Sequence, residues 1–219
     1  MGIEKDLLIN YPRTERNVFG RSEIKTDEDR QLAREFGKEF FDGDRRHGYG
    51  GYSYDAKYWS NVVPMIVEEY DLMPGSRILD IGCAKGFMLK DFLISQPGLI
   101  VSGIDISEYA VANAELEVKE FVRVGNARSL PYEDNSFDLV ISINSVHNLA
   151  VEECKEALTE IERVSRGESF ITVDAYETQE EKERMDAWNL TALTILRKSE
   201  WIDVFNSAGF SGDYYWFIP

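Results

Sequence analysis

From residue 77 onward the apolar positions alternate between short continuous runs and longer stretches with helical spacing. The run Arg77–Gly82 predicts a strand. Phe87, Met88, Leu89, Phe92 and Leu93 then predict a helix over 86–95. Leu99–Asp105, LIVSGID, is apolar throughout and rich in β-branched residues, as expected of a strand buried in a parallel sheet. Ser107 can cap a helix over 108–118, Glu120–Gly125 reads as a third strand, and Phe137–Asn144 as a fourth. In Glu152–Val164 the apolar positions Cys154, Ala157, Leu158, Ile161 and Val164 lie on one side of a helix. Ser169–Asp174 is a fifth strand, 178–196 and 198–208 read as helices, and the aromatic tail 214–218 is expected to end the sheet as an antiparallel strand. Strands alternating with helices define an α/β fold with a doubly wound, mostly parallel sheet.

The first 74 residues lack this alternation and are expected to form an arm and a cap, with the α/β domain spanning 75–219. Residues 1–26 are polar, carry Arg13, Arg16, Arg21 and Lys25, and read as an irregular arm or lid. A helix is expected over 27–41, capped by Asp27, with Leu32, Phe36 and Phe40 as its apolar stripe. The stretch 41–59 interleaves Gly43, Gly48, Gly50 and Gly51 with Tyr49, Tyr52, Tyr54, Tyr58 and Trp59. Glycine frees the backbone and tyrosine supplies a flat face with a polar tip, so this loop suits a pocket wall. Within it Arg45, Arg46 and His47 form a basic island that suits either an anionic substrate group or a solvated turn. Residues 60–72 predict a helix with Pro64 in its first turn.

Composition narrows the partners. A formal charge of −16 over 219 residues argues against a nucleic-acid backbone or an anionic membrane surface. Two cysteines and two histidines offer neither a disulfide framework nor a metal cluster, so no metal is expected. No apolar stretch reaches the roughly 18 residues that span a bilayer. The N-terminus lacks a signal-peptide core. A cytoplasmic protein acting on a small molecule, as a monomer or homodimer, is the expectation.

The candidate chemistry sits where predicted strands end, the ligand-binding edge of an open α/β sheet. Asp80 precedes a tight turn, Gly82-Cys83-Ala84-Lys85-Gly86, that opens a helix, whose N-terminal N–H groups can meet electronegative atoms. Asp105 ends the second strand, 19 residues past Gly86, and a carboxylate there can accept two hydrogen bonds from a ribose diol. Gly125-Asn126-Ala127 follows the third strand. Asn144, Ser145, His147 and Asn148 follow the fourth, and Asp174 and Tyr176 end the fifth.

The turn after Asp80 resembles motif I of class I S-adenosylmethionine-dependent methyltransferases, with Ala84 in place of the middle glycine. GIDIS, Gly125-Asn126-Ala127 and the run SLPYEDNSFDLVIS resemble later motifs of the same superfamily. The whole pattern is most similar to its methyltransferase type 11-like small-molecule branch. The resemblance covers about 75–175. It implies a Rossmann-like methyltransferase fold with a seven-stranded sheet and a helical N-terminal cap. The cofactor would be S-adenosyl-L-methionine, held by Asp80, Gly82, Cys83, Ala84, Gly86, Asp105, Ile106, Asn126, Ala127 and Asn144.

His147 stands where that branch often has a histidine. With an ordinary pKa near about 6.5, it and His47 are the candidate bases if the acceptor must lose a proton. Tyr49, Tyr52, Arg45, Arg46, Asp174 and Tyr176 are candidate substrate contacts. The expected activity is methyl transfer to an O or N atom of a small polar acceptor, with phosphate- or nucleotide-linked acceptors and surface-polysaccharide tailoring as its finer form. A nicotinamide-dependent oxidoreductase and a non-catalytic S-adenosylmethionine-binding regulator remain as alternatives.

Overall fold

A computed structural model describes residues 2–12, 18–19 and 25–219; Arg13, Arg16 and Arg21 of the expected arm lie outside the described residues. Seven strands form one sheet: β1 (Arg77–Ile81), β2 (Ile100–Asp105), β3 (Val122–Val124), β4 (Leu139–Ile143), β5 (Ser169–Tyr176), β6 (Leu196–Arg197) and β7 (Asp213–Phe217). Their order is β3-β2-β1-β4-β5-β6, with β7 also paired to β5, and every pairing is parallel. The path turns back at β1, which lies between β2 and β4. That reversal opens a crevice at the strands' carboxyl ends.

The central strands are apolar on both faces because helices cover both. Successive residues Ile78 and Leu79 enter different clusters, following the two-residue period of a strand. Leu79, Ile81 and Val140 pack with Leu158 and Ile161 of α6 (Val151–Val164) and Trp201 and Phe205 of α8 (Lys198–Ala208). Ile78, Leu139 and Ile141 pack with Met88, Leu89 and Phe92 of α4 (Phe87–Ser95) and Ile66 of α3 (Val63–Glu69). Along the chain, α5 (Glu108–Ala112) follows β2 and α7 (Gln179–Trp188) follows β5. Among the described residues no helix is long and apolar enough to cross a membrane.

Several sequence expectations need correcting. The tail is parallel, not antiparallel: Phe170 through Asp174 face Asp213 through Phe217 in the same direction. β6 runs alongside the end of β5, and α8 then returns the chain to the start of that strand, so β7 begins there. The helix expected over 27–41 is two, α1 (Asp27–Arg34) and α2 (Lys38–Asp42), separated where Phe36 takes a φ of 49° before Gly37. Thr26, not Asp27, caps α1, trading bonds with Asp29. The helix expected to reach 118 stops at Ala112, because the following chain turns back and Glu115 N–H bonds the Lys85 carbonyl at 3.0 Å. The described part of the arm is anchored: Glu4 bridges to Tyr214, and Leu7 and Leu8 are buried.

Candidate active site

The turn after β1 is held open by backbone conformation. Gly82, Ala84 and Gly86 adopt φ values of 81°, 49° and 76°. A Cβ on Gly82 would lie 2.1 Å from Ser145 Oγ, so glycine is required there for the loops after β1 and β4 to meet. Alanine in the left-handed region costs about 1–2 kcal/mol. The Ala84 N–H is compensated by a 2.7 Å bond to Asp105 Oδ2, while Asp105 Oδ1 accepts from Ser107 N–H at 2.8 Å. Burial pushes the Asp105 carboxyl up, and these two bonds only partly hold it down. Each oxygen keeps a lone pair for a further donor. Beside it Ile106 is 55 % exposed, an apolar face at the crevice edge.

Asp80 is 3 % exposed and has no hydrogen-bond donor among the described residues. Burial, and then the neighbouring Asp105 charge, raise its carboxyl to about 8. Such an orphaned acid beside a glycine turn fits a ligand that brings its own cation. Cys83 is buried and its thiol is pushed up by burial, as suits a packing residue. Asn126 Oδ1 accepts from Arg128 N–H at 3.0 Å, which orients the side chain, and Ala127 packs at the margin of the core.

The cap is clamped onto this turn by residues that the sequence did not single out as a group. Asp42 accepts from Lys85 Nζ (2.7 Å), Tyr109 Oη (2.7 Å) and Tyr52 N–H (2.8 Å), and Lys85 also donates to the Tyr52 carbonyl at 2.7 Å. Ser107 Oγ donates to the Phe36 carbonyl. The only legible signal was a lysine inside an otherwise apolar glycine turn. The clamp lays Tyr52 over Phe87, ring centres 4.7 Å apart, with Tyr49 4.2 Å further out. Burial raises the Tyr52 hydroxyl's pKa, followed by the charges of Tyr49, Tyr11, Asp80 and Asp105.

The basic island is occupied within the cap. Arg46 pairs with Asp44 at 3.3 Å and Arg45 donates to the Gly48 carbonyl. His47 Nε2 lies 3.0 Å from Asp29 of α1, while Nδ1 is buried 3.5 Å from Glu39 with no hydrogen-bond partner among the described residues.

After β4, Asn144 takes a φ of 50° and its side-chain oxygen accepts from Thr172 Oγ1 at 2.8 Å. A short turn at 146–148 buries His147. Its Nδ1 accepts the Asp174 backbone N–H at 2.9 Å, so a neutral ring carries its proton on Nε2. Burial lowers the histidine's pKa, only partly opposed by Asp174. A general base needs a free lone pair, and in this structure the Nδ1 lone pair of His147 accepts an amide N–H. Leu193 and Thr194 N–H groups bond the His147 carbonyl at 3.1 and 3.0 Å, which pulls the segment after Trp188 out of the expected helix. Tyr176 is flanked by the cations of Arg197 and Lys182, 5.3 and 5.8 Å from its ring centre.

Residues 79–173 match the model of a methyltransferase domain family. The chain is 32% identical over 148 residues to an uncharacterized protein of Haemophilus influenzae, covering 61% of this chain and 58% of that one. It is 32% identical over 130 residues to 24-methylenesterol C-methyltransferase 2 of Arabidopsis thaliana, covering 56% and 35%. The match thus spans about half or less of some relatives' length. The fold also resembles the crystal structure of the YcgJ protein from Bacillus subtilis, with TM-score 0.53, 22% identity and coverage of 67% and 66%.

Proposed function

We propose that this chain is a class I S-adenosylmethionine-dependent methyltransferase that methylates an oxygen or nitrogen atom of a small polar acceptor, a reading supported by the methyltransferase-domain match over residues 79–173. The observation that carries this reading is the joint between Ala84 and Asp105, which fixes an open glycine turn against a buried acid at the sheet's switch point. When bound, S-adenosylmethionine supplies an electrophilic methyl group on a good leaving group.

The residues divide the work of holding it. Asp105 takes the ribose hydroxyls with its remaining lone pairs. Ile106, Asn126 and Ala127 form the adenine side. Gly82, Cys83, Ala84 and Gly86 let the backbone approach, Asp80 takes the ammonium group, and Asn144 closes the edge nearest the acceptor. The cap segment that carries Tyr49 and Tyr52 excludes water from the reacting atoms, and holding nucleophile and methyl carbon in line supplies much of the acceleration. Arg45 and Arg46 were the support for a phosphate- or nucleotide-linked acceptor and for polysaccharide tailoring. Their engagement inside the cap favours an acceptor without an anionic group.

Isothermal titration tests the reading. Wild-type protein is expected to bind S-adenosylmethionine and not NADH, and Asp105→Ala to lose most of that affinity. Unchanged affinity in Asp105→Ala removes the site assignment. Absence of S-adenosylhomocysteine production across a broad acceptor panel, with binding intact, favours a non-catalytic binding protein.

A further inference from the structure

Asp174 is a buried acceptor with almost nothing to accept. It is 5 % exposed. Its backbone is committed at both ends: the N–H to His147 Nδ1 at 2.9 Å, the carbonyl to Trp201 Nε1 at 2.9 Å. Its carboxylate has no hydrogen-bond donor among the described residues. The nearest polar contact is His147 Nδ1, 3.5 Å from Oδ1, and that nitrogen presents a lone pair, not a proton. A buried carboxylate left in this state is costly unless a partner arrives. A second unmet acceptor sits in the turn that carries His147: Asn148 Oδ1 is buried without a partner. Both unmet groups are acceptors, so the missing group is a donor.

The location ties this demand to the reaction. Ile143 pairs with Thr172, so continuing the register sets Ser145 level with Asp174. Ser145 is the side chain that abuts Gly82 of the cofactor turn. Asp174 thus lies about 10 Å, or two strand spacings, from that turn across the sheet. Four cations of the neighbouring segments are already engaged. Lys85 is bound by Asp42, Lys182 by Asp186 at 2.6 Å, Arg197 by the Glu177 carbonyl at 3.0 Å, and Lys25 by the Trp188 carbonyl at 2.8 Å.

We propose, resting on the methyltransferase reading above, that Asp174 binds and deprotonates the acceptor, and that the acceptor is a primary or secondary amine. The amine enters as an ammonium, which supplies the donor the carboxylate lacks. One N–H bond breaks, an O–H bond forms on Asp174, and the electron pair stays on nitrogen as the lone pair of a neutral nucleophile. A raised carboxyl pKa, caused by burial and only partly opposed by His147, narrows the gap that this proton must cross. His147 is a positioning residue: by accepting the Asp174 N–H it sets the direction of the strand end that carries the acid.

The test uses wild-type protein saturated with S-adenosylhomocysteine. Ligand-observed NMR is run on a fragment pool in which each amine is matched to its alcohol and its phosphate monoester. Amines are expected to bind at least tenfold more tightly than their alcohols, and phosphate esters not to bind. Asp174→Asn should lose that preference while binding S-adenosylhomocysteine within twofold of wild type, which separates a wrong acceptor class from a wrong cofactor site. In case Asp174→Asn does not fold, the wild-type carboxyl is followed directly by carbon-13 NMR with labelled aspartate. One buried carboxyl should change ionisation state on adding the best amine and not its alcohol. Preferential binding of alcohols or phosphate esters, amine binding that survives Asp174→Asn, or a carboxyl signal indifferent to amines each overturns the proposal.

Discussion

Two buried aspartates, Asp105 at the end of β2 and Asp174 near the end of β5, live in opposite circumstances. Asp105 meets two backbone N–H groups, from Ala84 and Ser107, at 2.7 and 2.8 Å. Asp174 meets none, although both are buried. The Asp105 joint between β1 and β2 is thus assembled before any ligand arrives, whereas Asp174 on β5, like Asp80 on β1, holds polar demand in reserve. Preorganised groups cost nothing to arrange at the moment of reaction, and unmet groups gain most from the ligand that fits them.

The difference can be broken most forcefully at Asp105. Asp105→Ala removes a carboxylate accepting two charge-assisted bonds, each worth about 1.5–3 kcal/mol. Affinity for S-adenosylmethionine should fall by about 100-fold or more in calorimetry, and the thermal midpoint should drop. Unequal effects of the same conservative change sharpen the contrast. Asp105→Asn should cost about 1–3 kcal/mol in urea unfolding, while Asp174→Asn, which replaces an unmet carboxylate by a neutral amide, should leave stability at or above wild type. Equal losses would show that the two acids are alike.

The clamp that joins the cap to the turn after β1 gives a slightly smaller effect. Lys85→Met leaves Asp42 with only Tyr109 and Tyr52 as donors. The expected loss is about 1–3 kcal/mol, read by hydrogen exchange as faster opening of 38–59 with the sheet unchanged. Acid should do the same more gently. Burial pushes the Asp42 carboxyl up, but Lys85, the Tyr52 N–H and Tyr109 outweigh it and hold it below its ordinary value. A depressed folded-state pKa means the clamp is intact above the ordinary carboxylate range and loosens as pH falls below it.

Asp80 reverses that sign. Raised to about 8 by burial and the Asp105 charge, it is largely protonated in the free protein at pH 7. Its contribution to stability is present below the ordinary carboxylate range and declines as pH rises toward 8. If it takes the cofactor's ammonium it must ionise, so binding at pH 7 should release up to about one proton per site. Binding enthalpies measured in phosphate and in Tris should differ accordingly; identical values would place the ammonium elsewhere. The smallest effect is at Ala84. Ala84→Gly relieves a left-handed alanine worth about 1–2 kcal/mol but frees the unfolded chain by about 0.4–1 kcal/mol. Urea unfolding should show a gain below about 1 kcal/mol, with the turn geometry kept.

Read from the chain alone, the α/β alternation, the glycine turn, the acid at 105 and the methyltransferase resemblance were all legible, because each is written in neighbouring residues. A strand buried on both faces needs a continuous apolar run, and a turn that bonds β2 needs glycine at Gly82. Local pattern also misled. Phe36 and Phe40 suggested one helix where a left-handed Phe36 makes two, and Trp188 through Ala192 suggested a helix where the His147 carbonyl recruits the backbone instead. The aromatic tail looked like a closing antiparallel strand, yet its direction depends on where α8 returns the chain.

What the amino-acid order determined, then, was the α/β alternation and the glycine turn after β1, since propensity, apolar period and glycine spacing act over a few residues. What tertiary structure alone decided was how the polar groups pair. Asp42, Tyr52, Lys85 and Tyr109 come from four segments, and His147 gives its lone pair to an amide 27 positions away. Hydrogen bonds between distant segments depend on a few tenths of an ångström that only the packed chain sets, so the division between a satisfied Asp105 and an unsatisfied Asp174 exists nowhere but in the fold.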